Sequence, residues 1–243
     1  MYIAFLILLF TFMLAMPIAK ALKEKKSKDV ARADKRHGIN YYRVLAGMWC
    51  SAIVVLIMSF IGGISLADIG FRAISFTHNI WFTAITLAIC GLMLLSSLYT
   101  LIVSLASKKF RGKKKAELTN DDVANDILPR TTKEKWLFAL MSFSSGICEE
   151  FVFRGFMMFL LLAIFPEIPI FLIVLIPSVI FGIGHLYQGW QGVIQTGVVG
   201  AILMCLFLAT DSLIPVMALH FMLNVSDMFL LSEKKEDKPS LHL

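Results

Sequence analysis

From Ile168 to Thr210 the chain runs 43 residues without an Asp, Glu, Lys or Arg. A membrane-spanning helix needs about 20 apolar residues, so this run is too long for one crossing. It predicts two crossings joined near Tyr187–Gln191. The rest of the chain follows the same pattern. Hydrophobic residues make up 58% and charged residues 16% of its 243 positions, with a mean hydropathy of +0.78. That excess exceeds what one buried soluble core can use, so the bilayer is the organising solvent.

Further apolar runs give seven expected segments: 1–19, 44–66, 80–106, 134–165, 170–186, 191–209 and 213–231. The expected fold is therefore an all-α polytopic membrane bundle. Thr131 and Glu134 match a capping box, which starts the fourth helix near Thr132. Pro166 and Pro169 stop it. Asp211 or Ser212 can cap the last helix, with Pro215 in its first turn. Trp81, Trp136 and Trp190 fall at segment ends, as interfacial aromatics do.

The net charge is +6, and 18 of the 23 Lys and Arg residues lie in 20–43 and 107–135. Basic loops stay cytoplasmic. With seven segments this puts the N-terminus outside and the C-terminus in the cytoplasm, in a plasma membrane expected to be bacterial. The same lysines suit contact with anionic lipid headgroups rather than nucleic acid. The four cysteines form no CxxC and read as small buried hydrophobes.

Against this background, some residues stand out. Glu149, Glu150 and Arg154 lie near the middle of the fourth segment, His185 in the fifth, and His220 and Asp227 in the seventh. Each ionisable group at bilayer depth costs about 2.5–3.5 kcal/mol if it faces lipid. These groups must therefore face one another or a wet cavity. Glu150 and Arg154 are spaced i,i+4, so one turn brings carboxylate to guanidinium. Glu149 is rotated about 100° from Glu150 and should meet a different neighbour. His220 and Asn224 are also i,i+4 and share a face.

Cys148-Glu149-Glu150-Phe151-Val152-Phe153-Arg154-Gly155 resembles the EExxxR motif of the CPBP family, the CAAX proteases and bacteriocin-processing enzymes, also called the Abi or type II CAAX prenyl endopeptidase family. Phe181-Gly182-Ile183-Gly184-His185 resembles its FxxxH motif, and His220-Phe221-Met222-Leu223-Asn224 its HxxxN motif. The likeness covers roughly 134–231, and the first 130 residues carry no matching motif. It divides the chain into N-terminal spans and basic loops over 1–130, a catalytic core over 131–231 and a polar tail over 232–243.

The resemblance implies intramembrane hydrolysis of a peptide bond near the cytoplasmic face. In it, Glu149 and His185 would hold and activate the attacking water. His220 and Asn224 would stabilise the oxyanion, and Glu150 and Arg154 would orient the site or contact substrate. The substrate would be a peptide or protein, which the family allows to be lipidated. The chemistry of the residues is compatible. Two carboxylates in different environments can take different roles. Asn224 and His220 can donate to an oxyanion. Glu149, His185 and His220 could alternatively form a three-ligand zinc site with an open position. The metal-free version is favoured, because Asn224 has work without zinc and none as a ligand. Two rival readings use the same residues: a non-catalytic bacteriocin-immunity or scaffold protein, and a transporter with the buried charges on its path.

Overall fold

The structure is a computed structural model that describes residues 41–76, 78–110, 112, 129 and 131–231, without the side chains of Tyr187 and 227–231. The expected first segment, the polar tail, most of both basic loops and the Asp227 side chain lie outside the described residues.

Seven α-helices are described: α1 (Tyr41–Ile61), α2 (Ile80–Ala106), α3 (Thr132–Glu150), α4 (Met157–Ile164), α5 (Ile170–Gly184), α6 (Gly189–Thr210) and α7 (Leu213–Leu231). A π-helical turn, Phe151–Phe156, joins α3 to α4, so the fourth expected segment is one rod from Thr132 to Ile164. Its start is the expected capping box. Thr131 Oγ1 accepts from Glu134 N–H, and Glu134 Oε2 accepts from Thr131 N–H, both at 3.2 Å. A 3₁₀ turn, Leu186–Gln188, breaks the charge-free run where the sequence predicts it.

The described residues contain no strand, and the result is an all-α bundle. Helices α1, α2 and α6 are long and apolar enough to cross a membrane, and α5 and α7 are shorter apolar helices. The outer faces of α1 and α2 carry exposed Ile57, Phe60, Ile85, Leu92, Leu95 and Ile102, a surface made for lipid. Trp81, Trp136 and Trp190 are all more than 70% exposed at helix starts.

Packing places α3 and α7 at the centre. Helix α7 lies against α2 and α3, α1 against α3, and α5 along α6. The starts of α1 and α3 share one end of the bundle, where the Tyr41 and Phe138 rings meet at 6.5 Å. At the opposite end the 62–79 connection folds inward. Ile69 is fully buried, and Phe71 meets Phe151 of the π turn at 5.8 Å between ring centroids. The connection is tied to the α6–α7 corner by Leu213 N–H donating to Gly70 O and Ser75 N–H donating to Thr210 O. Ser212 Oγ donates to Arg72 O at 2.6 Å.

Only one of the two expected caps holds α7. Ser212 Oγ accepts from Ile214 N–H at 3.4 Å, whereas Asp211 ends α6 in the left-handed conformation and pairs with Arg72. A φ of 54° turns the Asp211 backbone out of α6, which removes its side chain from the capping position.

Candidate functional site

The rod α3–π–α4 carries Glu149 and Glu150 at the end of α3 and Arg154 inside the π turn. A π turn bonds five residues back, as Met157 N–H does to Val152 O. Such single turns recur at functional sites, because they shift the faces that follow them.

Glu150 and Arg154 are the most deeply buried charges described, at 0% and 1% exposure. Arg154 Nη1 donates to Glu150 Oε1 at 2.8 Å, which fulfils the i,i+4 expectation. The Arg154 guanidinium also lies 4.3 Å from the Phe181 ring centroid, within cation–π range. Gly200 of α6 makes the room. A Cβ there would sit 3.1 Å from Arg154 Nη2 and 3.2 Å from Phe181 Cδ1.

The same Glu150 oxygen takes a second hydrogen bond, from His220 Nδ1 on α7 at 2.5 Å. The far side of that imidazole faces the other acid, with His220 Nε2 lying 3.9 Å from Glu149 Oε2. The adjacent glutamates therefore share one partner through its two nitrogens. The 100° rotation between them on the helix does not send Glu149 elsewhere, because an imidazole is wide enough to meet both. It does separate their environments: the Glu149 side chain is 22% exposed and that of Glu150 is 0%.

His185 caps the C-terminus of α5, where its Nδ1 lies 2.9 Å from Phe181 O. A carbonyl only accepts, so Nδ1 carries the proton, and Nε2 is the acceptor in the neutral ring. The Phe181 ring touches His185 at 4.7 Å and His220 at 6.3 Å between centroids, and so joins the histidines of α5 and α7. Asn224, one turn beyond His220, donates from Nδ2 to Ser145 Oγ at 2.7 Å. Ser145 lies one turn before Glu149 on α3.

Glu149, Glu150, Arg154 and His220 thus form one contiguous cluster. Phe181 links His185 to it, and Asn224 borders it through α3. The sequence reading missed two of these parts: the π turn and Ser145. No pattern marks the first. The second had a signal, since Ser142, Ser144 and Ser145 place three hydroxyls in a segment that otherwise reads as apolar.

Among the described residues, no three His, Cys, Asp or Glu side chains group closely enough to hold a metal ion. Glu149, His185 and His220 are therefore not assembled as a zinc ligand set in this conformation. An apolar groove runs between α1, the 62–79 connection, the end of α3 and the π turn. Trp49, Ala52, Leu66, Phe71, Cys148 and Phe151 line it.

Residues 131–226 match a family model described as Rce1-like: type II CAAX prenyl endopeptidase Rce1-like. No significant match to a curated protein or to a solved structure was found.

Proposed function

We propose, from the match of residues 131–226 to the Rce1-like type II CAAX prenyl endopeptidase family model, that the cluster hydrolyses a peptide bond at the membrane with water activated by Glu149. The observation that carries this reading is the unequal treatment of the two glutamates. Glu150 is closed off by Arg154 and His220, and Glu149 keeps 22% of its side-chain surface exposed. A general base needs access to a water molecule, and a positioning carboxylate does not.

The proposed steps use this chain's own groups. Glu149 takes a proton from water that His185 helps to hold from the end of α5, and the hydroxide attacks the substrate carbonyl. The tetrahedral oxyanion accepts hydrogen bonds from Asn224 and His220. Glu149 then gives its proton to the leaving amine, and the C–N bond breaks. Glu150 and Arg154 act through His220. Its Nδ1 proton is committed to Glu150, so an oxyanion donor at Nε2 exists only when the ring is doubly protonated. Glu150 is the counter-charge of that form, much as a buried aspartate serves a catalytic histidine.

The substrate class is a protein or peptide with a prenylated C-terminal CAAX sequence, whose apolar part stays in the bilayer with the surrounding lipids. We read the end of the bundle where α1 and α3 start as the cytoplasmic one, because the basic runs 20–43 and 107–135 adjoin those starts and basic loops stay cytoplasmic. The reading needs no metal, so turnover should survive a chelator. Comparative peptidomics of membranes carrying wild type or Glu149→Gln tests it. A precursor that accumulates only with Glu149→Gln supports the hydrolase and identifies the substrate. An unchanged profile favours a non-catalytic membrane protein.

A further inference from the structure

Helix α3 presents three buried serines in the turns before Glu149: Ser142, Ser144 and Ser145. They do different work. Ser142 Oγ donates to Phe138 O at 2.9 Å within its own helix. Ser144 Oγ accepts from Trp49 Nε1 at 3.0 Å and ties α1 to α3. Ser145 reaches the other way, to α7.

A hydroxyl has one proton, and that of Ser145 is spent within α3, where its Oγ donates to Ser142 O at 3.0 Å. Toward Asn224 the same oxygen can only accept. The carboxamide of Asn224 is ambiguous on its own, because its O and NH₂ ends have nearly the same shape. An acceptor at Ser145 removes that ambiguity by requiring NH₂ to face α3. The register is also fixed, since α3 and α7 touch through backbone one residue further on. A Cβ at Gly146 would lie 3.1 Å from Met217 O and 3.3 Å from Phe221 N. Ser145 cannot drift away from Asn224 without moving the helix pair.

We propose that Ser145 is a positioning residue that sets which way the Asn224 carboxamide faces, leaving the second Nδ2–H as the oxyanion donor. This rests on the reading in which Asn224 stabilises the oxyanion. Without the serine acceptor the amide can turn over and present its own oxygen to the developing negative charge, which repels it. A serine that served only to join two helices would affect stability and leave the rate of the bound complex alone.

The experiment uses the full chain in lipid vesicles with a farnesylated CAAX peptide as reporter. Ser145→Ala should lower kcat about tenfold and leave KM within about twofold, a fraction of the loss that follows removal of an oxyanion donor outright. Ser145→Thr keeps the hydroxyl and should retain most of kcat. Ser145→Ala combined with Asn224→Ala should be no slower than Asn224→Ala alone, because the serine acts only through the asparagine. Losses that multiply, or an unchanged kcat in Ser145→Ala, overturn the proposal. A second readout does not depend on turnover. The Asn224 side-chain amide resonances of ¹⁵N-asparagine-labelled protein should shift in Ser145→Ala and stay in place in Ser145→Thr. Resonances unmoved in Ser145→Ala overturn the proposal even in an inactive preparation. Full turnover in Asn224→Ala counts against the oxyanion assignment, and the amide resonances then decide the serine's part by themselves.

Discussion

Two arginine–carboxylate pairs sit in opposite settings in this molecule. Arg154 and Glu150 meet inside the bundle at 1% and 0% exposure. Arg72 and Asp211 meet at its outer end, with side chains 40% and 28% exposed. The outer pair closes a corner: Arg72 Nε also donates to Asp211 O at 2.8 Å, which holds the 62–79 connection against the α6–α7 turn. The inner pair closes nothing that apolar side chains could not close as well. Buried ion pairs are often replaceable by hydrophobic residues with no loss of stability, so stability alone is a weak reason for one. Glu150 has a second task, since it holds His220 in place between the two acids. On the proposed mechanism the outer pair serves the fold and the inner pair serves the chemistry.

The comparison can be broken in several places. The largest expected effect comes from Arg154→Met, which leaves Glu150 buried with only the imidazole for a partner. Breaking a buried pair in this way should cost about 3–5 kcal/mol of stability in a denaturant titration in micelles. Converting Glu150 to Gln in the same chain should recover part of that loss without restoring turnover. Gly200→Ala comes next. Its new methyl group presses on the guanidinium and on Phe181, and overpacking of this kind costs about 1–3 kcal/mol. Asp211→Asn removes the outer charge at a left-handed position that asparagine tolerates. It should cost about 0–1 kcal/mol, and added salt should shrink the difference. A larger loss there would mean that the outer pair also supports the core.

The smallest effect concerns Asp68 in the same connection. The Ser65 hydroxyl and N–H hold its carboxyl below the usual carboxylate range. Its contribution is therefore present at neutral pH and is lost as pH falls through the lowered value. Proteolysis of the 62–79 connection should quicken below that pH in wild type. Asp68→Asn should show the quicker cleavage at every pH.

Much of this arrangement is legible in the sequence, because it is set by local rules. The Thr131–Glu134 box, the stop at Pro166 and Pro169 and the break near Tyr187 depend on a few neighbouring residues. The Glu150–Arg154 pair depends on one helical turn, and it survives the π turn because both ends lie within reach. What is not legible is rotation. Helices apolar on every side carry no stripe to say which face turns inward. The bond from His220 to Glu150 spans 70 positions and that from Asn224 to Ser145 spans 79, and both depend on how α7 is turned against α3. Asp211 illustrates the same limit on a smaller scale. Its sequence context permits a cap on α7, and the backbone direction at the end of α6 gives it to Arg72 instead.

The central claim is that the partly exposed glutamate does the chemistry while its buried neighbour holds the histidine. The direct test is turnover of a farnesylated CAAX peptide by purified protein in vesicles, comparing wild type with Glu149→Gln. The account predicts a single cleavage product from wild type and a rate at least about a hundredfold lower in Glu149→Gln, with unfolding stability little changed because Glu149 is partly exposed and meets His220 only at 3.9 Å. Equal rates in the two proteins would contradict it.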